Sequence, residues 1–117
     1  MSDVYIDQDV AAMPDASEQL AHLIDTGHAV LVLGGPGVPF LLPEGAVRVA
    51  AMPDTVTEGA WRVTMNPETC GEHRAGLRSL LVGPTAAPAR RQPPRCDAVA
   101  RDLAGAVLEI LSRDVMG

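Results

Sequence analysis

The chain has 117 residues and a net charge of −6 at pH 7, from 15 acidic and 9 basic side chains. This length predicts one domain, residues 1–117, that is large enough to bury a core. The acidic balance and the presence of only three aromatic residues argue against nucleic acid and anionic membranes as partners. The N-terminus lacks the positive charge of a signal peptide, and no run approaches the roughly 20 apolar residues of a membrane span. We therefore expect a cytoplasmic protein.

Cys70 and Cys96 are the only cysteines, 26 positions apart. Neither lies in a C-x-x-C pair or near a cluster of other metal-ligating residues. Such spacing in a cytoplasmic protein favours two free thiols over a disulfide or a metal site.

The first third of the chain reads as a β-α-β unit. Residues 4–6 are β-branched and aromatic, which predicts a short strand ending at Asp7. A helix with apolar side chains at helical spacing then opens near Asp15 and ends at Gly27. Residues 29–33 are apolar without alternation, as expected for a strand covered on both faces. This order predicts a parallel sheet.

Three further strands are predicted at residues 47–50, 61–64 and 77–82. A short helix starts at Asn66, and residues 84–96 form a loop rich in proline and arginine. Asp97 is expected to cap a final amphipathic helix. Its apolar surface is wider than one sheet face needs, which predicts a homodimer or a protein partner. The whole predicts a three-layer α/β sandwich around a mostly parallel, five-stranded sheet.

Ligands of parallel sheets bind outside the carboxyl ends of the strands. Asp7 and Asp9 follow the first strand, Gly34 and Gly35 follow the second, and Glu68 follows the fourth. Two neighbouring carboxylates can hold a hard cation, or divide nucleophilic and acid/base roles. The alternatives are two solvated acids at a strand end and a simple glycine turn.

The apolar strand ending in Asp7-x-Asp9, with the order of elements behind it, resembles the haloacid dehalogenase-like (HAD) hydrolases, in their small capless form. The resemblance in element order covers nearly the whole chain and implies a Rossmannoid fold. It also implies phosphoryl transfer. Asp7 would be the nucleophile that forms an aspartyl-phosphate, and Asp9 the acid/base. Asp7, Asp9 and Glu68 would hold Mg²⁺, and Gly34 and Gly35 would stand at the phosphate-binding position.

Three parts of that family's pattern are missing. Gly34 and Gly35 replace the hydroxyl residue of the second motif, and Met65 replaces the aspartate of the fourth. The third motif needs a basic residue, but the chain has no lysine, and the nearest arginine in sequence, Arg48, lies inside a predicted strand. Each lost electrostatic contact costs about two to three orders of magnitude in rate.

The pattern therefore favours a catalytically impaired HAD-like domain that acts as a binding or interaction module without a cofactor. The alternative is a Mg²⁺-dependent phosphohydrolase whose open crevice suits a bulky phosphorylated substrate. A receiver-type domain is a third interpretation, but it needs a lysine after its last strand.

Overall fold

The computed structural model describes residues 3–34, 42–66, 68–69, 76–83 and 96–116. The helices and strands are, in chain order, β1 (Asp3–Ile6), α1 (Gln8–Ala11), α2 (Ala16–Asp25), β2 (Ala29–Leu33), β3 (Val47–Val49), β4 (Ala60–Thr64), β5 (Leu77–Val82), β6 (Ala98–Ala100) and α3 (Leu103–Met116). All of the predicted loop at 84–96 except Cys96, and most of the predicted helix after Asn66, lie outside the described residues.

The strands form one six-stranded, all-parallel sheet in the order β3-β2-β1-β4-β5-β6. This confirms the α/β class and the parallel sheet. The predicted strand number, five, is wrong by one: residues 98–100 were expected to open the last helix, and they pair with β5 as a sixth strand.

The hydrogen bonds of Asp97 explain this difference. They join Asp97 to β5, whereas the sequence predicts that Asp97 caps a helix. Its backbone N–H donates to the Ser79 carbonyl oxygen at 2.9 Å, and its Oδ2 accepts the Ser79 N–H at 2.8 Å. The helix cap is instead Asp102, whose Oδ1 accepts the Gly105 N–H at 2.7 Å. Such a cap satisfies one of the unpaired N–H groups of the first helical turn.

One face of the sheet carries the main core. Every second residue of the central strands points to this face, as the pleat requires, and packs against all three described helices. The fully or nearly fully buried members of this core are Val4, Ile6, Val10, Ala11, Ala16, Leu20, Leu23, Val30, Val32, Trp61, Val63, Leu80, Val82, Ala98, Leu103, Ala106, Val107 and Ile110.

The opposite face has a smaller apolar cluster around Tyr5, Leu33 and Ala60. Met52 and Val56, from the segment between β3 and β4, pack against it. The described residues therefore place their helices on one face only, and the third layer of the predicted sandwich is not seen among them.

Asp114 joins α3 to the amino-terminal end of the sheet. Its Oδ2 lies 2.8 Å from His28 Nε2, and its Oδ1 accepts from Arg78 Nη2 at 2.8 Å and from Trp61 Nε1 at 3.4 Å. The Arg78 guanidinium also lies over the Trp61 ring, 4.0 Å from its centroid, which is a cation–π contact. We call these four residues the Asp114 cluster.

Cys96 is disulfide-bonded, so the prediction of a free thiol at this position is wrong. Cys70, the other cysteine of the sequence, lies outside the described residues. The sequence contained no spacing motif that would have indicated the bond, because a disulfide depends on which loops the sheet brings together.

Tyr5 makes the stability of the fold depend on pH in the alkaline range. Burial, and secondarily the negative charge of Asp3, raises the pKa of its hydroxyl. Ionisation therefore costs more in the folded protein than in the unfolded chain. We expect the contribution of Tyr5 to the free energy of unfolding to be fully present below pH 10, its unfolded pKa, and to be lost as the pH rises from there through the raised pKa, by at most about 1.4 kcal/mol per pH unit.

Urea unfolding of wild type and Tyr5→Phe between pH 8 and pH 11 measures this effect. The chain has one tyrosine and no lysine, so few other groups titrate in that interval. The variant should lose less stability than wild type above pH 10, and parallel losses in the two proteins would contradict the assignment.

Candidate functional site

A cavity of about 420 Å³ opens at the carboxyl ends of β1, β2 and β3. These strands are neighbours in the sheet, and next to them the strand order reverses between β1 and β4, where parallel α/β folds place their ligands. The described residues that line the cavity are Asp7, Gln8, Leu33, Gly34, Ala50, Ala51, Met52 and Arg62.

Asp7 and Arg62 form an ion pair in this cavity. Arg62 Nε donates to Asp7 Oδ1 at 3.0 Å. The Arg62 side chain is 16% exposed and the Asp7 side chain 19%. The strand register produces the contact: Tyr5 lies opposite Arg62, and Asp7, two residues after Tyr5, lies toward the same face. The charge of the carboxylate is therefore balanced by a group built into the sheet.

The Asp7 backbone is fixed as well. Its N–H donates to the Val63 carbonyl oxygen at 3.0 Å, which extends the pairing of β1 with β4 by one residue. Asp7 then occupies the N-cap position of the four-residue helix α1. Asp7 is thus held by its backbone and its side chain together.

Asp9 and Glu68 are not brought to this cavity. Successive residues of a helix are turned by about 100°, so the start of α1 directly after Asp7 directs Asp9 elsewhere, and Asp9 is exposed. Glu68 is also exposed, and its N–H donates to Asn66 Oδ1 at 3.0 Å. Neither acid lines the cavity.

Gly34 lines the cavity, whereas Gly35 lies outside the described residues. The N–H of Gly34 donates to the Val49 carbonyl oxygen at 2.9 Å. This bond joins the ends of β2 and β3 and engages the one backbone donor that Gly34 could offer to a phosphate.

Arg62 is the site residue that sequence reasoning missed. Arg48, the arginine that the sequence offered for the third motif, lies exposed on the edge strand β3. A signal was nevertheless present, because Arg62 is the one charged residue within the otherwise apolar or hydroxyl-bearing strand Ala60–Thr64. A charge in the middle of a buried strand is normally paired.

The described residues do not fit a Mg²⁺ ion. Mg²⁺ needs an octahedron of oxygen ligands, usually including one or two carboxylates, but among the described residues that line the cavity the only carboxylate, Asp7, is bound to a guanidinium. In the described part of the chain, no group of three or more His, Cys, Asp or Glu side chains is placed to hold a metal. Met65 packs against the main core, and a thioether is a poor ligand for this ion.

The sheet order and the position of the cavity define a parallel α/β domain with the strand order of the doubly wound folds. Dinucleotide-binding members of that class carry a glycine-rich turn after β1, whereas residues 7–12 contain no glycine. The chain matches no family model, no curated protein and no solved structure. None of the described helices is long and apolar enough to cross a membrane.

Proposed function

We propose that this chain is a catalytically impaired HAD-like domain that acts as a binding module. The observation that carries the proposal is the 3.0 Å ion pair between Asp7 and Arg62. A carboxylate in such a pair is less nucleophilic, because its negative charge is already stabilised.

The position of Asp9 supports the same proposal. Protonation of a leaving oxygen requires an acid within hydrogen-bond reach of it, and Asp9 is exposed and outside the cavity. What remains is a concave site with one charged pair and apolar walls from Leu33 and Met52. Its volume lies in the range of small-molecule sites.

Hydrolysis of a generic aryl phosphate in the presence of Mg²⁺ tests the proposal. We expect turnover at least about 10⁴-fold below the typical 10 s⁻¹ of enzymes, since two or more electrostatic contacts are missing. Wild type and Asp7→Asn should give the same rate. Turnover in wild type that disappears in Asp7→Asn would refute the impaired-enzyme proposal.

The second candidate is a phosphohydrolase that uses an aspartyl-phosphate on Asp7. One observation favours it: Arg62 lies where a cation could offset the charge of a transferring phosphoryl group, and the sequence otherwise offered no such cation. In that reaction a carboxylate oxygen of Asp7 attacks phosphorus while the bond to the leaving oxygen breaks. The aryl phosphate assay separates the two candidates.

The partner and the location stay predictions. Leu108 of α3 is 64% exposed, in keeping with a protein partner or a second copy of the chain, but nothing among the described residues shows what covers it. The disulfide of Cys96 weighs against the expected cytoplasmic location, because stable disulfides are uncommon in that reducing compartment.

A further inference from the structure

We infer that Arg62 is the resident cation of the cavity and replaces a divalent metal ion at Asp7. The cavity then takes its ligand without a metal. This inference rests on the proposed function, since it concerns the same site, and it specifies which cation that site contains.

The first argument is preorganisation. Arg62 lies inside β4 with a strand on each side, and Asp7 is bound to the same strand through the Val63 carbonyl oxygen. Both partners of the 3.0 Å contact are therefore held by the sheet. A guanidinium stays protonated at all pH values at which proteins are folded, so this cation is present whatever the metal concentration.

The second argument is competition. A divalent ion that reached the Asp7 carboxylate would lie within a few ångström of the Arg62 guanidinium, and like charges at that distance repel strongly where solvent is partly excluded. Additional carboxylates would have to offset this repulsion. Asp9 and Glu68 are exposed and do not line the cavity, so the described residues supply no such offset.

Titration with Mn²⁺, a paramagnetic substitute for Mg²⁺ whose free fraction is measured by electron paramagnetic resonance, tests the inference without any substrate. Wild type and Asp7→Asn should bind Mn²⁺ with the same affinity. Arg62→Met removes the charge at similar length and releases Asp7, and we expect it to bind Mn²⁺ at least about five-fold more tightly than wild type.

Two controls isolate the charge. Arg62→Lys keeps a cation near Asp7 and should gain no affinity. The double variant Arg62→Met/Asp7→Asn should return to the wild-type affinity, because the added site depends on the released carboxylate.

Two results would overturn the inference: tighter Mn²⁺ binding by wild type than by Asp7→Asn, or no gain in a folded Arg62→Met protein. Should Arg62→Met not fold, the comparison of wild type with Asp7→Asn decides alone. Asp7-dependent phosphatase turnover without Asp7-dependent Mn²⁺ binding would refute only the proposed function. Asp7-dependent Mn²⁺ binding without turnover would refute only the present inference.

Discussion

Replacing Asp114 with asparagine is expected to lower the free energy of unfolding by about 2 to 3 kcal/mol. The carboxylate receives three contacts in the Asp114 cluster, and removing one partner of a largely buried ion pair leaves the opposite charge poorly compensated. The Asp114 and His28 side chains are 13% and 5% exposed. Arg78 is 29% exposed, so solvent screens part of its charge, and the expected loss lies at or below the lower limit of the roughly 3 to 5 kcal/mol that breaking a fully buried pair costs.

Urea unfolding followed by fluorescence measures this loss, because Trp61 is the only tryptophan, is fully buried and belongs to the cluster. Glu109→Gln is the matched control on the same helix. It breaks the ion pair between Glu109 and Arg113, whose side chains are 38% and 43% exposed, respectively. This substitution should lower the free energy of unfolding by less than about 0.5 kcal/mol. If Asp114→Asn costs no more than this control, the cluster does not stabilise the fold.

The strands β2 and β5 were the most predictable part of the fold. Residues 29–33 and 77–82 were predicted with the bounds that β2 and β5 have. Residues 29–33 are a continuous apolar run, and residues 77–82 end in three consecutive apolar residues after Arg78 and Ser79. Each segment ends before a glycine, a boundary that local sequence defines on its own.

The strand at residues 98–100 was not predictable in the same way. Val99 stands four residues before Leu103, so it continues the apolar spacing of α3 and was included in that helix. The choice between helix and strand is made by the bonds between Asp97 and Ser79, residues that are 18 positions apart. A local pattern contains no information about such a partner.

The candidate site was likewise predictable only where a residue's position follows from the local sequence. Asp7 could be placed at the carboxyl edge because its position follows from the end of one strand. Arg62 is 55 positions away, and its contact with Asp7 requires β1 to pair with β4 rather than only with its sequence neighbour β2. The sequence predicted the first helix near Asp15, so it missed the earlier turn α1 that directs Asp9 out of the cavity.

Substitution of Gly76 by alanine is expected to lower the free energy of unfolding by about 3 kcal/mol, the largest loss we expect from any single added methyl group. Gly76 precedes β5 with a φ of +82°, and a Cβ atom there would lie 2.9 Å from the backbone Cα of Glu58. The left-handed conformation alone costs a non-glycine residue about 1 to 2 kcal/mol, and overpacking adds about 1 to 3 kcal/mol. The backbone cannot easily move away, because the Gly59 N–H donates to the Gly76 carbonyl oxygen at 2.7 Å.

Gly59→Ala separates the two contributions. Gly59 has nearly the same φ, +86°, but among the described residues a Cβ atom there would meet only the end of the Arg78 side chain, at 3.7 Å. This variant should therefore show the conformational cost alone, about 1 to 2 kcal/mol, when both variants are unfolded in urea and followed by Trp61 fluorescence. Equal losses in the two variants would mean that the segment before β5 moves away from Glu58, and that the close contact between the two turns does not fix where β5 begins.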